Sequence, residues 1–333
     1  MKATVDFTGS KILLFTPQGK GIYGTALYDK LVEKGATVKI YNERVSTSTV
    51  SKVIYRVGKD FVRFHFREYL HKIIKENKDA DFDYILIIRG EAFDKKEVLM
   101  LKKAFPNTKL ILYLWDSLKN NNKKSLFPYF DKALSFDLED CEKEKSLIFR
   151  PLFFTDHFRR IQNIEKKTID VLFVGTVRSD RFSLIRQTEQ YLEKTNLSSY
   201  FYLYFPSRIL FFKKKLTDPD FKRVSINDFN FNLISLNRIS SLMEKSFSSL
   251  DMKPPNQSGL TMRTIEVLGA QRKLITTNEQ VQKYDFFDEQ NITVLKKDFN
   301  EIDFDFFNTP FKEIPKDIYE KYYLERWLDD VFR

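Results

Sequence analysis

Short apolar runs bounded by polar residues recur along the chain, with room for one helix between successive runs. Lys11–Thr16 (KILLFT), Thr37–Tyr41 (TVKIY), Tyr84–Arg89 (YILIIR), Lys109–Leu114 (KLILYL) and Lys132–Phe136 (KALSF) are close to continuously apolar rather than alternating. Runs of that kind are strands buried on both faces. The stretches Gly24–Lys34, Asp60–Asn77 and Lys95–Ala104 read as the intervening helices, which predicts a parallel sheet covered on both sides. From Phe149 to Lys167 the periodicity lapses, and this is the expected linker. A second series then begins with Ile169–Val174 (IDVLFV) and Gly175, followed by a helix over Asp180–Lys194 and strands at Ser248–Met252, Lys273–Thr277 and Ile292–Leu295. The fold class expected is α/β, with two Rossmann-like domains facing each other across a cleft. Their expected bounds are residues 1–150 and 151–315, with 316–333 a C-terminal helix returning to the N-terminal domain.

Composition supports two cores: a chain of 333 residues with 42% hydrophobic and 31% charged positions is globular rather than disordered. Phe is abundant, at 33 residues, while Gly and Pro number only 10 each. The single cysteine, Cys141, excludes an internal disulfide. No apolar N-terminal segment or run of transmembrane length is visible, so the expected setting is the cytoplasm.

A net charge of +10 points to an anionic partner: nucleic acid, a phosphorylated substrate or a membrane surface. Between Phe205 and Arg223 lie six basic residues (Arg208, Lys213, Lys214, Lys215, Lys222 and Arg223) against Asp218 and Asp220. The segment follows YFYLYF (Tyr200–Phe205) and contains ILFF (Ile209–Phe212). Rings beside lysines suit a peripheral membrane contact, although a buried strand followed by a solvated basic helix gives the same pattern.

Ligands of open α/β sheets bind outside the carboxyl ends of the strands, and this sorts the candidate chemistry. Gly19, Gly21 and Gly24 follow the first strand at dinucleotide-fingerprint spacing, with Glu43 placed to hold a ribose, but Pro17 and Gln18 lengthen the turn. Asp79, Asp81 and Asp83 precede their strand and lie on the wrong edge for a metal, and Asp303 and Asp305 form a similar acidic pair. His65 and His71 point to different sides of a helix and His157 is isolated, so no metal site is expected.

The richest stretch is LDMKPPNQSGLTMRTIEVLGAQRKLITTN, Leu250–Asn278: a strand, a polar loop carrying Lys253 and Gly259, and a helix starting near Leu260 and Thr261. Arg263 and Glu266 project from one face of that helix, where an arginine beside a helix N-terminus suits a phosphate and a carboxylate one turn on suits sugar hydroxyls. The alternative is a surface ion pair. Arg178 and Arg181 follow Gly175 at the next strand end and suit a diphosphate, unless Asp180 merely caps the helix and pairs with one of them.

These segments, DVLFVGTVRSDRF, PNQSGLTMRTIEVLGAQRKLITTN, ILYLWDSLKNN and the C-terminal IYEKYYLERWLDDVF, resemble a bacterial group of GT-B glycosyltransferases. Its members serve capsule, exopolysaccharide or lipopolysaccharide biosynthesis and are related to spore maturation protein CgeB. The resemblance spans nearly the whole chain. It implies a nucleotide-sugar donor held mainly by the C-terminal domain and a glycan or lipid-linked glycan acceptor held by the N-terminal one. Donor-binding positions would be Gly175, Arg178, Arg181, Lys253, Gly259, Leu260, Thr261, Arg263 and Glu266. Gly19, Gly21 and Gly24 would bring backbone close to donor phosphate or acceptor, without a dinucleotide. Retaining GT-B families place two glutamates eight apart, and counting back from Glu266 gives Ser258, so the stereochemical outcome stays open.

The expected function is therefore a metal-independent glycosyltransferase with no cofactor, docked at the cytoplasmic face of the membrane through residues 200–223, with no nucleic-acid partner. For an inverting reaction, Asp116 (LWD) or Glu91 (RGE) would be the base, each just past a strand, with Asp116 slightly preferred. The rivals are an NAD-dependent oxidoreductase using the glycine turn and Glu43, and a non-catalytic protein binding membrane or nucleic acid through its basic surface.

Overall fold

The computed structural model describes residues 4–17, 21–43, 59–159, 161, 167–177, 179–222, 224–295 and 304–333, without the side chains of 59–62, 179–181 and 220. The chain forms two compact units. The first comprises Met1–Pro151, Asn256–Gly259 and Leu324–Arg333, and the second comprises Leu152–Pro255 and Leu260–Tyr323.

In the first unit six parallel strands run in the order β2-β1-β3-β4-β5-β6: β1 Lys11–Thr16, β2 Thr37–Asn42, β3 Tyr84–Ile88, β4 Lys109–Leu114, β5 Lys132–Ser135 and β6 Ile148–Phe149. Leu14 lies opposite Ile40 on one side and Leu86 on the other, and all four residues Ile12–Phe15 are fully buried. Such two-sided burial is why the strand reads as continuously apolar. Helices Ile22–Glu33, Lys59–Glu76 and Lys95–Ala104 connect the strands, the last opened by a capping box between Asp94 and Glu97. The Leu324–Phe332 helix completes this core. Trp327, fully buried, meets Tyr113 edge-on at 4.7 Å between ring centroids, and Phe332 contacts both Phe7 and Tyr84.

The second unit holds five parallel strands in the order β11-β10-β9-β7-β8: β7 Ile169–Thr176, β8 Ser199–Tyr204, β9 Ser246–Asp251, β10 Lys273–Thr276 and β11 Ile292–Val294. Much of the abundant Phe is spent here as core. Phe182, Phe205, Phe211, Phe221 and Phe229 form one buried cluster, with Phe182 stacked on Phe221 at 4.8 Å.

Two stretches carry more structure than the sequence pattern indicates. The expected linker, in which the division at Pro151/Leu152 falls, begins as packed chain: Leu152, Phe153, Phe154 and Phe158 are buried, and Phe154 packs so closely on Gly269 that a Cβ there would lie 2.4 Å from its ring. The C-terminal stretch is two helices, Lys316–Lys321 in the second unit and Leu324–Phe332 in the first. They separate at Tyr322 and Tyr323, because Tyr323 bridges to Phe154 and the Tyr322 ring meets Phe286.

Each sheet reverses its direction of growth once. β1 leads to β2 on one side while β3 lies on the other, and β7 leads to β8 on one side while β9 lies on the other. The carboxyl ends of β1 and β3, and of β7 and β9, are therefore the topological switch points where such sheets bind ligands.

Candidate ligand sites at the two switch points

At the switch point of the first unit, Gly21 caps the helix Ile22–Glu33 in an extended conformation (φ −68°, ψ −179°), and its carbonyl accepts from Thr25 N at 2.8 Å. Gly24 is buried inside the first turn, because the helix begins earlier than the sequence pattern indicates. Gly19 lies outside the described residues. Opposite, β3 runs into two consecutive left-handed residues, Arg89 (φ 75°) and Gly90 (φ 69°). Arginine in that region is disfavoured by about 1–2 kcal/mol. The turn is fixed by Arg89 N–H donating to Tyr113 O at 2.8 Å and by Asn121 Nδ2 donating to Arg89 O at 3.3 Å.

This turn aims the Arg89 guanidinium between the two carboxylates anticipated from sequence. It pairs with Glu91 Oε2 at 3.0 Å and with Asp116 Oδ2 at 2.5 Å. All three side chains are partly exposed, at 26%, 36% and 28%, so a ligand can reach them. Behind them, fully buried Glu43 accepts from Glu91 N at 3.1 Å. Lys123 donates to the carbonyls of Glu91 and Phe93, and burial lowers its pKa against the opposing pull of Asp94, Glu43 and Glu91. Trp115, next to Asp116, lies 5.6 Å from the ring of Tyr23. Glu43 is thus a structural carboxylate, and this removes the ribose-binding acid on which the dinucleotide reading depends.

In the second unit β9 ends at Asp251, whose Oδ2 accepts from Thr261 Oγ1 at 2.7 Å and Thr264 Oγ1 at 2.6 Å. Thr261 is the N-cap of helix Met262–Gly269 and accepts from Thr264 N at 3.2 Å, so strand end and helix start are tied together. Arg263 and Glu266 do share one face, joined at 2.7 Å, but this is no surface pair: their side chains are 15% and 1% exposed. Arg263 also reaches toward Val174 O of β7, at 3.5 Å, which sets its guanidinium at the junction of β7 and β9.

The remaining candidates divide. Leu260 is buried at 2% exposure and offers only backbone, while Lys253 is half-buried with its N–H held by Thr277 Oγ1 at 2.8 Å. Gly175 is the penultimate residue of β7. Arg178 and the side chain of Arg181 lie outside the described residues, as does Arg223 of the basic segment.

Gly259 has a packing role. A Cβ there would lie 2.5 Å from the Phe136 ring and 3.1 Å from Asp137 Cα, both in the first unit. Fully buried Asp137 holds the short segment in place, accepting from Ser258 N at 3.2 Å, Gly259 N at 2.9 Å and Ser258 Oγ. The same carboxylate caps the helix Leu138–Lys143 through Glu139 N and Asp140 N.

Sequence reasoning missed Arg89, Asp137 and Asp251. A charged residue at or beside a strand's carboxyl end was signal enough for Arg89 and Asp251. Asp137 binds residues 121 and 122 positions away, which no local pattern encodes. Among the described residues no group of three or more His, Cys, Asp or Glu is placed to hold a metal ion, and Asp83 instead accepts from Lys11 N at 2.8 Å. Asp303 is outside the described residues.

No protein-family model matches the sequence, and no curated protein does. Solved structures do match in shape. The apo form of the lipopolysaccharide outer core galactosyltransferase WaaB aligns over 97% of this chain and 99% of its own, with TM-score 0.52 and 11% identity. HepE of Anabaena, in complex with UDP and glucose, aligns over 86% of each chain with TM-score 0.53 and 10% identity. The N-terminal domain of trehalose-6-phosphate phosphatase from Candida albicans aligns over 100% of this chain and 97% of its own, with TM-score 0.52 and 10% identity. Likeness at such identity is likeness of fold, and with the two parallel sheets it establishes a GT-B type of fold, two Rossmann-like units on one chain.

Proposed function

We propose that this chain is a glycosyltransferase that moves a sugar from a nucleotide-sugar donor to a bacterial surface glycan of the capsule, exopolysaccharide or lipopolysaccharide kind. In this reading it is kin to the group related to CgeB. The observation that carries it is the β7/β9 switch point, where Arg263 sits beside a capped helix start in a fold shared with a galactosyltransferase and with a protein holding UDP and glucose. There a guanidinium and helix N–H groups would bind the donor diphosphate and stabilise the charge that develops as it leaves. The second unit would hold the donor, with Arg178 and Arg181 completing the cationic lining. The first unit would hold the acceptor beside Asp116 and Glu91, with the glycine turn close by.

Fixed cations at the leaving group make turnover independent of added metal, and activity should persist in EDTA. The chain would work at the cytoplasmic face of the membrane, where a lipid-linked acceptor is presented. The test of donor class is thermal denaturation with a panel of nucleotides, nucleotide sugars and NAD, since a ligand selective for the native state raises its melting temperature. A shift with a nucleoside diphosphate and its sugar is expected. A shift with NAD alone would return the oxidoreductase reading, and no shift with any nucleotide would leave the non-catalytic one.

A further inference from the structure

The Arg208–Thr217 helix (RILFFKKKLT) turns its apolar residues both ways. Phe211 is fully buried in the cluster of Phe205, Phe221 and Phe229 and anchors the helix to the second unit. On the outer side Ile209 is 83% exposed, Phe212 55% and Leu216 82%. At 3.6 residues per turn these three fall within about 60° of one another around the axis. Arg208 and Lys213, both exposed, flank that stripe on its two sides. The other lysines of the run face elsewhere: Lys214 pairs with Asp218 at 3.3 Å, and Lys215 donates to Val224 O at 3.0 Å. In the YFYLYF segment Leu203 and Phe205 are buried, while Tyr200, Phe201, Tyr202 and Tyr204 are half-buried along the strand.

We propose that this helix inserts into an anionic lipid bilayer, with Ile209, Phe212 and Leu216 entering the acyl boundary and Arg208 and Lys213 resting among phosphate headgroups. Three adjacent large apolar side chains at that exposure are a standing cost in water that an interfacial helix recovers in lipid. The cations on both flanks select the occupant. A second copy of this chain, related by a twofold axis, would set Arg208 and Lys213 against the same residues of its partner, and the helix holds no acid to relieve the repulsion. A phosphate-rich surface meets both flanks with opposite charge. This deepens the proposed membrane-side function by replacing electrostatic adhesion through the lysine run with insertion of one helix face, and it rests on that reading only for its purpose, since binding to lipid is measured without a donor.

The experiment is co-sedimentation of the full chain with vesicles of phosphatidylcholine and phosphatidylglycerol, and with phosphatidylcholine alone. Wild type should bind the mixed vesicles and keep a measurable share of that binding in molar salt, where exposed charges are screened within roughly 3 Å. Ile209→Ser with Leu216→Ser should lower the partition at least about tenfold at low salt. It should keep the wild-type melting temperature, because both side chains are solvent-exposed. Arg208→Glu with Lys213→Glu should abolish the preference for phosphatidylglycerol. Failure of wild type to bind, or equal binding by the Ile209/Leu216 variant, overturns the proposal. So does binding that vanishes in salt while ignoring that variant, or light scattering that shows the stripe joining two copies in solution. Loss of the nucleotide-induced shift with intact vesicle binding would instead count against the glycosyltransferase reading alone.

Discussion

Arg263 and Glu266 sit one helical turn apart, and burial changes what deleting either one does. Arg263→Ala would leave a carboxylate that is 1% exposed without its guanidinium, and breaking a buried pair from one side costs about 3–5 kcal/mol. The simple alanine variant therefore confounds loss of fold with loss of ligand. Arg263→Met combined with Glu266→Gln keeps the volume and removes both charges, and should melt within a few degrees of wild type. If Arg263 binds the donor diphosphate, that stable variant should lose most of the melting shift that UDP gives the wild type, and an undiminished shift would remove the phosphate role. Asp116→Asn and Glu91→Gln divide the base question. The true base should lower turnover by about 10²–10⁴-fold, while the other substitution, which only loosens the hold of Arg89, should act mildly. We expect the large effect at Asp116, and a steady-state comparison of the two folded variants decides it.

At the scale of elements, the four residues Asn256–Gly259 act as a clasp on Asp137. Gly259→Ala drives a Cβ to within 2.5 Å of Phe136 and near backbone at Asp137, so the clasp must shift. Overpacking of this kind costs about 1–3 kcal/mol, which should show as a lower denaturation midpoint together with weaker nucleotide binding. Nothing in the sequence announces that clasp, whereas most strands were legible to within about two residues from their apolar runs; β6 went unnoticed and β8 was only one of two readings of YFYLYF. Helix Leu236–Glu244 escaped notice, although its buried residues Leu236, Ile239, Leu242 and Met243 recur at helical spacing among serines and charges. The aromatic-basic segment was legible in composition but not in direction. Phe211 and Phe212 are equivalent letters, and only packing shows that one anchors the helix while the other faces water. Arg89 carries no local sign of its left-handed backbone, since that conformation is set by Tyr113 and Asn121 from neighbouring segments.

At the scale of the whole chain, the first unit depends on the Leu324–Phe332 helix, which is translated after the entire second unit. Deleting residues 324–333 removes Trp327, Leu328 and Val331, all fully buried, and opens the first core at Tyr113. It also strips Arg150 of Asp330, at 3.1 Å, and Lys132 of the carbonyls of Asp330 and Val331. The loss exceeds typical net domain stability of about 5–15 kcal/mol, so the truncated chain should be insoluble or should show a collapsed unfolding transition by circular dichroism. A cooperative, soluble truncation would mean that the first unit closes without it.

The same three-part composition of the first unit sets a schedule for the growing chain. Its sheet leaves the ribosome early, yet its clasp and its closing helix arrive only after most of the second unit has been translated. At roughly 5–20 residues per second the nascent sheet waits on the order of ten to thirty seconds with the Tyr113 face uncovered. Over that interval the unfinished half exposes apolar surface of the kind that chaperones and proteases engage, and a chain stopped before the closing helix would keep that surface exposed.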